Sequence, residues 1–560
     1  MTTVQLPLGD INVVAVTDVH SWVAGHSRHE PSLDADYGDV LSFYQELEEA
    51  ANKVGKDVFF VMNGDMVDGT GLSTVPPEHL LPIIETMPFD AVNMGNHELY
   101  HNETVEYLRS SGFIEHWNGN YLTTNTFWEE IKDYIGHPYT YLYGQHSQIK
   151  ILTFGFLYNF VNNCKITTVT KVEETVQEEW FQQVLLQRDY DAILVLAHMD
   201  YIDPLVAVIH KSIRALVGPE MPIQFINGHS HRRGFHVYDE TTTAMEAGRY
   251  LDTVGFVSFP TYDSVRKSDA PDALFQHVFL DANKQVLAGA VGNFDKTSDG
   301  SSLTDLIHQT QDDMGIERVI GCSTRSYFID QPLNASNSLY GLYMRQVFPF
   351  AFENNHSKVV VQSTGALRYS LLRGEVTLDD VIAVSPFDDL IYLAAQNIVG
   401  IDVIEAFGGD LMQTDTNPRE QPFPFIISGS GIEPHHIYDV YAADFDLSEV
   451  RRRVQDSIGR TLEPSSLFKG NDGIAVTTSK IWQSFVIEHW PCSVVSPVRQ
   501  LMHESHNATL FGYGSVLFSM FCLLVLTLLR KKITRGRPSL PQEPERNQST
   551  RGYGSTDSLE

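Results

Sequence analysis

Five short motifs in this chain carry the oxygen and imidazole groups that divalent cations bind. They are D-V-H at 18–20, G-D-M-V-D at 64–68, G-N-H-E at 95–98, A-H at 197–198 and G-H-S-H at 228–231. Each follows an apolar run that predicts a buried strand, at 11–16, 57–62, 91–94, 192–196 and 223–226. Open α/β sheets carry their chemistry in the loops after the strand ends. We therefore expect the five groups of donors to meet at one site.

This set of donors suits the hydrolysis of a phosphate ester. Two neighbouring cations turn bound water into a hydroxide nucleophile and hold the phosphoryl oxygens in line. A carboxylate has two oxygens and can bridge two ions, so Asp65 is the predicted bridge. His229 and His231 form a His-x-His pair that can divide between the ions, and Asn96 and His198 add neutral donors.

The motifs and their order resemble the calcineurin-like metallophosphoesterase family, whose pattern is D-x-H, G-D-x-x-D, G-N-H-E, H and G-H-x-H. The resemblance implies a four-layer β-sandwich flanked by helices and two divalent ions. Zn, Mn and Fe all suit these donors, and their identity stays open. The ligands that the resemblance implies are Asp18, His20, Asp65 and His231 for one ion, and Asp65, Asn96, His198 and His229 for the other.

The same resemblance makes His97 the residue that contacts the scissile phosphate and stabilises the transition state or the leaving group. Asp68 joins it as a predicted catalytic residue with two roles left open. It either supports the site through a hydrogen bond or caps the next helix.

The second half narrows the substrate. The segments S-T-G-A-L-R at 363–368, T-L-D-D-V at 377–381 and S-P-F at 385–387 resemble the C-terminal domain of 5′-nucleotidases. The resemblance implies that Arg368 reaches the phosphate or ribose of the substrate. It makes Phe425 one of two aromatic rings that enclose the base. The expected substrates are nucleoside or nicotinamide mononucleotides.

Two departures from the 5′-nucleotidase pattern stand out. That family reads G-N-H-E-F-D, whose Asp pairs with the catalytic His, but this chain has Tyr100 there. The G-G-D-G-[FY] segment that supplies the second ring is also absent. Because a tyrosine replaces the Asp that pairs with the catalytic His, we expect a slower or differently pH-tuned enzyme. The sequence G-N-H-E-L-Y also resembles a fungal-type branch of the family.

Two other functions are compatible with the motifs. One is hydrolysis of a different ester, such as a nucleotide sugar, a cyclic nucleotide or a phosphoprotein. The other is a non-catalytic membrane protein with the same fold. The second half favours the nucleotidase, and the presence of all seven ligand residues disfavours the non-catalytic protein.

The length of the chain limits the number of domains, and its net charge limits the classes of binding partner. A chain of 560 residues is long enough for two or three domains. Alternating strand and helix patterns predict an α/β domain over 1–292, followed by a linker at 293–302 and a smaller α+β domain at 303–495. The net charge of −32 argues against a nucleic-acid polymer, because binding its backbone needs a basic surface. A small phosphate ester remains compatible, since bound cations reverse the local field.

The last part predicts a membrane anchor. After a short stalk at 496–508, segment 509–529 has 21 residues without a charged side chain. It is long enough to cross a bilayer core of about 30 Å as one C-terminal transmembrane helix. Basic residues at 530–532 place the disordered tail 530–560 in the cytoplasm. The catalytic part is then extracytoplasmic, in the vacuolar lumen or at the cell surface.

The first residues conflict with that topology, because 1–8 show no signal peptide. Either the N-terminus is mature or truncated, or the enzyme is tail-anchored and faces the cytosol. The basic flank favours the first, and so, weakly, do the glycosylation sequons at Asn102, Asn334, Asn355 and Asn507. The four cysteines leave the redox compartment open.

Overall fold

Two six-stranded sheets lie face to face in the N-terminal part of the protein. The structure is a computed structural model, and it describes residues 6–492 apart from 27, 293–294, 413–414, 416, 418–424, 430 and 471. The strands of the described residues are β1 Ile11–Val16, β2 Phe59–Asn63, β3 Ala91–Asn93, β4 Tyr121–Leu122, β5 Thr126–Trp128, β6 Tyr139–Tyr143, β7 Lys150–Leu157, β8 Thr167–Val169, β9 Ala192–His198, β10 Ile223–Asn227, β11 Arg233–Asp239, β12 Thr242–Ala247, β13 Thr253–Phe259, β14 Gln276–Asp281, β15 Val319–Ser323, β16 Lys358–Ser363, β17 Gly374–Thr377, β18 Ile391–Val399, β19 Phe425–Ile427, β20 Ile437–Ala443 and β21 Ser466–Leu467.

The same described residues also form sixteen α-helices. They are α1 Tyr37–Asn52, α2 Leu81–Ile84, α3 Asn102–Ser110, α4 Phe113–His116, α5 Val172–Thr175, α6 Glu179–Gln187, α7 Pro204–Val217, α8 Tyr262–Lys267, α9 Lys284–Val291, α10 Ser298–Met314, α11 Leu339–Leu342, α12 Phe348–Ala351, α13 Leu378–Val384, α14 Gly400–Phe407, α15 Asp444–Ile458 and α16 Thr478–His489.

Buried parallel strands form the centre of both sheets. The first sheet has the order β14-β13-β1-β2-β3-β4 and the second β11-β12-β10-β9-β7-β6. Strand β1 is parallel to β2, β2 to β3, and β9 to β10. Strands covered on both faces need apolar residues throughout, which explains the continuous apolar runs before the motifs.

The two faces of β1 build two separate cores. Ile11, Val13 and Ala15 join a cluster shared by both sheets. Val14 and Val16 join a cluster that includes α1. A further cluster packs α6 and α7 on the outer face of the second sheet. Helices, sheet, sheet and helices thus follow one another, and the predicted mixed α/β fold is confirmed.

A smaller α+β arrangement follows in the second half. Its five-stranded sheet has the order β19-β16-β20-β18-β21. One face packs α13 and α16, and the other packs α14 and α15. Helix α13 begins with a capping box, in which Thr377 and Asp380 bind each other's backbone N–H groups.

The predicted linker 293–302 is partly helical. Residues 298–302 form the first turns of α10, which Thr297 caps by accepting the N–H of Gly300. Leu303 and Ile307 of this helix pack into the N-terminal core. Ser, Thr and Gly favour helix starts as well as linkers, so composition alone did not separate the two.

The C-terminal predictions lie outside the part of the chain that the structure describes. These are the stalk 496–508, the transmembrane segment 509–529 and the tail 530–560. No helix within the described ranges combines the length and the apolar character that a membrane crossing needs. Cys322 and Cys492 are disulfide-bonded, whereas Cys164 is a free thiol.

Candidate metal centre

Four of the five ligand motifs lie in the segments directly after β1, β2, β3 and β10, and the A-H motif at 197–198 forms the last two residues of β9. Left-handed backbone is concentrated in these loops. Six of the predicted site residues have positive φ angles: Asp18 (50°), His20 (46°), Asp65 (52°), Asp68 (63°), His229 (73°) and His231 (61°). Such a conformation costs about 1–3 kcal/mol per non-glycine residue, and it persists where the surroundings impose it. The fold therefore holds these side chains in place against local backbone preference.

The loops bring the predicted ligands together in two groups that share Asp65. Within each group the donor atoms lie within 4.8 Å of one another. The first group contains Asp18, His20, Asp65 and His231, and the second contains Asp65, His198 and His229. Asp65 thus has the geometry of a bridge between two ions.

Three buried donor atoms in the centre lack hydrogen-bond partners: Asp65 Oδ2, Asn96 Oδ1 and His198 Nε2. Asp65 Oδ2 and His198 Nε2 lie 3.0 Å apart, at the distance of an ion pair, although the pair does not have full hydrogen-bond geometry. A buried polar atom without a partner costs about 1–3 kcal/mol.

The other polar side-chain atom of Asp65, and likewise that of His198, has a hydrogen-bond partner. Asp65 Oδ1 accepts the N–H of His97 at 3.0 Å. His198 Nδ1 lies 2.9 Å from the carbonyl oxygen of Asn63. Each residue therefore directs one free donor atom inward, as ligands of shared cations do, and the residues fit a pair of divalent ions.

Three of the four ligand imidazoles have lowered pKa values, whereas Asp65 and Asp18, acting against burial, raise the pKa of His198 to about 10. Burial lowers the pKa of His20 well below its usual value, and the neighbouring His97 lowers it further. Burial and the nearby His198 lower the pKa of His229 to about 4. Burial and Arg368 lower the pKa of His231 well below its usual value. Because metal ligands must be deprotonated, these three rings are ready to bind ions.

Glu98 holds two ligand loops together, a role that the motif did not reveal. Its carboxylate accepts the N–H groups of Asp65 (3.0 Å), Met66 (2.7 Å) and Gly95 (2.7 Å). Burial and the nearby Asp65 raise the pKa of Glu98 to about 7. The close approach also requires a glycine at 95, because a Cβ there would collide with the Asp65 carboxylate.

His97 lies between a carboxylate and an arginine. Its Nδ1 is 2.9 Å from Asp68 Oδ2, and its Nε2 is 3.1 Å from Nη2 of Arg368. Arginine can only donate, so Nε2 accepts and Nδ1 carries the proton that Asp68 accepts. Asp68 does not cap the next helix, α2, whose N-cap residue is Leu80.

Asp68 therefore supplies the carboxylate that 5′-nucleotidases carry at the position of Tyr100. The hydroxyl of Tyr100 instead accepts a hydrogen bond from Asn96 Nδ2 at 3.0 Å. This contact uses the amide nitrogen of Asn96 and leaves its carbonyl oxygen buried without a hydrogen-bond partner. The expectation of an incomplete dyad is corrected, because residues 29 positions apart make the pair.

Two aromatic rings of the second half lie beside the centre, and Phe425 is not one of them. The ring of Phe387 stacks 5.9 Å from His97, and Phe445, 56% exposed, lies 6.1 Å from Tyr100. Phe425 is only 8% exposed and packs against Phe407 in a hydrophobic cluster. The interpretation of Phe425 as a base-stacking ring is corrected: β19 turns it into the core.

Two family models match the chain. Residues 11–233 match the calcineurin-like phosphoesterase model, and residues 326–401 match the NAD nucleotidase C-terminal domain. Both matches cover the segments that carry the site.

Fungal proteins are among the relatives. An uncharacterized protein of Schizosaccharomyces pombe is 32% identical over 426 residues, 68% of this chain and 69% of that protein. A secreted protein of Arthroderma benhamiae is 29% identical over 434 residues, and the match spans 68% of this chain and 64% of that protein.

The fold is also that of a solved structure, the 5′-nucleotidase from Candida albicans. The two superpose with a TM-score of 0.76 at 23% identity, covering 87% of this chain and 100% of that one. At this identity the likeness shows a shared fold.

Proposed function

We propose that this chain, which belongs to the calcineurin-like phosphoesterase family, is a 5′-nucleotidase that releases phosphate from nucleoside or nicotinamide mononucleotides. The chain is a metal-dependent phosphoester hydrolase, and the proposal concerns its substrate and the residues that act on it. One observation carries it: Arg368 of the C-terminal part donates to His97 at the metal centre over 3.1 Å. A mononucleotide needs both parts, one for its phosphate and one for its nucleoside.

Two divalent cations, when bound, would supply a hydroxide nucleophile and a clamp for the phosphoryl oxygens. We assign them, as Zn, Mn or Fe, to the two ligand groups that share Asp65, with Asn96 added to the second group. The unsatisfied oxygen of Asn96 supports this addition.

We assign protonation of the leaving ester oxygen to His97. Arg368 can exchange its contact with His97 Nε2 for a phosphoryl oxygen, which neutralises charge and frees the imidazole. His97 Nε2 then takes up a proton from water and gives it to the ester oxygen as the bond to phosphorus breaks, while Asp68 stabilises the transient imidazolium from Nδ1. His97 is 3% exposed, and this burial strengthens both electrostatic contacts.

We assign the nucleoside to the surface between Phe387 and Phe445. Aromatic rings stack on a nucleobase through their faces, and Phe445 has the exposure that a stacking ring needs. The similarity to the Candida albicans 5′-nucleotidase and to the NAD nucleotidase C-terminal domain supports a nucleotide over a phosphoprotein or another ester.

We also propose an extracytoplasmic location. Disulfide-bonded Cys322 and Cys492 support an oxidising compartment, and one relative is a secreted protein. The uncharged run at 509–529 supports a single-pass anchor with the tail in the cytoplasm and the catalytic part at the cell surface or in the vacuolar lumen.

Phosphate release from a panel of esters tests the proposal. The full chain, in detergent, is assayed with mononucleotides, a nucleotide sugar, a cyclic nucleotide, a phosphopeptide and an aryl phosphate, with and without chelator. We expect release from mononucleotides that chelation abolishes. Activity confined to the phosphopeptide or aryl phosphate would contradict the nucleotidase, and activity that survives chelation would contradict the two ions.

Ligand variants complete the test. Asp65→Asn and His198→Ala should each lose activity at least about 100-fold, a typical loss when a group acting in the transition state is removed. His210→Ala is the matched control, because that imidazole pairs with Asp239 at 2.7 Å instead. Equal activity of Asp65→Asn and His210→Ala would refute the assignment.

A further inference from the structure

A short turn beside the metal centre has an unusual backbone. The segment 248–252, called here the Tyr250 turn, follows β12 and has positive φ at Gly248 (78°), Tyr250 (53°) and Leu251 (55°). Asp252 closes the turn, since its Oδ1 accepts the N–H of Arg249 at 3.1 Å. Two successive non-glycine residues in this conformation cost about 1–3 kcal/mol each, so the surroundings must hold them.

Tyr250 contacts three ligands of one ion group. Its N–H donates to the carbonyl oxygen of Asp18 at 2.7 Å. The centroid of its ring lies 5.4 Å from that of His20 and 5.3 Å from that of His231, edge-on to both. A 3% exposed tyrosine therefore limits how these two imidazoles can turn.

The same residue contacts the segment that carries the substrate arginine. Its hydroxyl lies 3.5 Å from the carbonyl oxygen of Arg368. Its own carbonyl accepts a hydrogen bond from His26 Nε2 at 2.6 Å, and His26 Nδ1 lies 2.8 Å from the hydroxyl of Tyr369. Two routes thus join the Tyr250 turn to residues 368 and 369.

We propose that Tyr250 is a positioning residue that orients the ligands of one ion, the Asp18–His20–His231 ion, and aligns Arg368 with it. The inference rests on the proposed two-ion function and adds a residue to it. Groups behind metal ligands fix ring orientation, and their loss typically weakens metal binding about 10–100-fold.

The second ion group has a counterpart of its own. The ring of Tyr158 stacks on His229 at 4.4 Å with 28° between the planes. Its N–H also approaches the carbonyl oxygen of His198 at 3.4 Å. Each tyrosine therefore contacts ligands of one group, which provides a matched pair of variants.

Manganese titration of the metal-free full chain tests the assignment without any substrate. In a His229→Ala background, which retains the Asp18–His20–His231 site, Tyr250→Leu should weaken manganese binding 10–100-fold, as expected for support behind the ligands. Tyr158→Leu should leave that binding within about twofold, the scatter allowed for a change that does not touch the ligands. In a His20→Ala background, which retains the second ion group, Tyr158→Leu should weaken manganese binding 10–100-fold. Tyr250→Leu should leave that binding within about twofold.

The outcomes separate this inference from the proposed function. If wild-type protein binds manganese at two sites but Tyr250→Leu and Tyr158→Leu act alike in both backgrounds, the inference is wrong and the two-ion proposal stands. If wild-type protein binds none of manganese, zinc and iron(II), the two-ion proposal itself fails. Thermal unfolding of each metal-free variant checks whether the leucine substitutions leave the fold intact.

Tyr250→Phe tests the link to Arg368 separately. It keeps the ring and the N–H but removes the hydroxyl, so manganese affinity should not change. The KM for a mononucleotide should rise severalfold while kcat stays near the wild-type value, because Arg368 binds substrate less well when its backbone is less fixed. An unchanged KM would overturn this part of the inference.

Discussion

Asp68 Oδ2 lies 2.9 Å from His97 Nδ1, and this pair joins the second ligand motif to the third. The Asp68 carboxylate fixes the imidazole tautomer, because Nδ1 must donate while Nε2 accepts from Arg368. A carboxylate in this position also stabilises an imidazolium. The pair thus prepares His97 to take up a second proton at Nε2 once Arg368 has moved to the substrate, as the proposed reaction requires.

Asp68→Asn should lower kcat by about 10²–10⁴-fold, the usual contribution of a positioned acid or base. Metal content should stay at the wild-type value, since Asp68 is not in either ligand group. Steady-state kinetics and elemental analysis of the same sample check both points.

Asp90→Asn is the control for this change. Asp90 is a carboxylate that accepts the N–H of Phe60 at 2.7 Å and makes no contact with His97 among the described residues. An asparagine can keep that bond, so activity should be retained. A kcat for Asp68→Asn equal to that of Asp90→Asn would show that the carboxylate has no role in catalysis.

Phe387→Ala and Phe445→Ala should raise the KM for mononucleotides by about 10-fold each, because stacking on a base contributes about 1–3 kcal/mol. The KM for an aryl phosphate, which has no base, should change less. Phe425→Ala should instead lower the stability by about 3–5 kcal/mol, as for a buried phenylalanine. Kinetics with both substrates and thermal unfolding separate the two effects, and a KM change specific to Phe425→Ala would reverse the assignment.

Metal removal should lower the melting temperature. A ligand at 100 times its Kd stabilises the folded state by about 2.7 kcal/mol, so two tightly bound ions contribute more than one. Adding manganese to chelated protein should restore the melting temperature in the wild type and restore less of it in Asp65→Asn. Equal manganese responses of the two proteins would contradict the bridging role of Asp65.

Ionisation of the buried Asp389 carboxyl should lower the free energy of unfolding as pH rises. Burial and the neighbouring Asp444 raise the pKa of Asp389 from 3.8 to about 8. The folded state therefore binds the proton more tightly than the unfolded state, and the stabilisation present below pH 4 is lost between pH 4 and 8. Asp389→Asn cannot ionise and should be more stable than wild type at pH 8 but similar at pH 4. Thermal unfolding across this range checks it, and parallel pH curves for both proteins would refute it.

The candidate metal ligands could be proposed from local sequence because each motif follows an apolar run of residues. Strand ends of an α/β sheet meet by topology, so order and spacing were enough to bring Asp18 and His229 into one site. The aromatic residues could not be predicted in this way. Phe425 and Phe445 both lie in apolar or helical surroundings, and only the pairing of β19 with β16 shows that the first is buried.

The sequence by itself indicated the chemistry: which side chains are candidate ion ligands, which segments carry them and which half contains the arginine that we propose for the substrate. The tertiary structure decided the contacts between them. Asp68 reaches His97, Glu98 ties the loops of Asp65 and Gly95, and Tyr250 joins Asp18 to Arg368. These contacts depend on how loops from distant parts of the chain pack at one edge of the sheets, and no local pattern of residues encodes that packing.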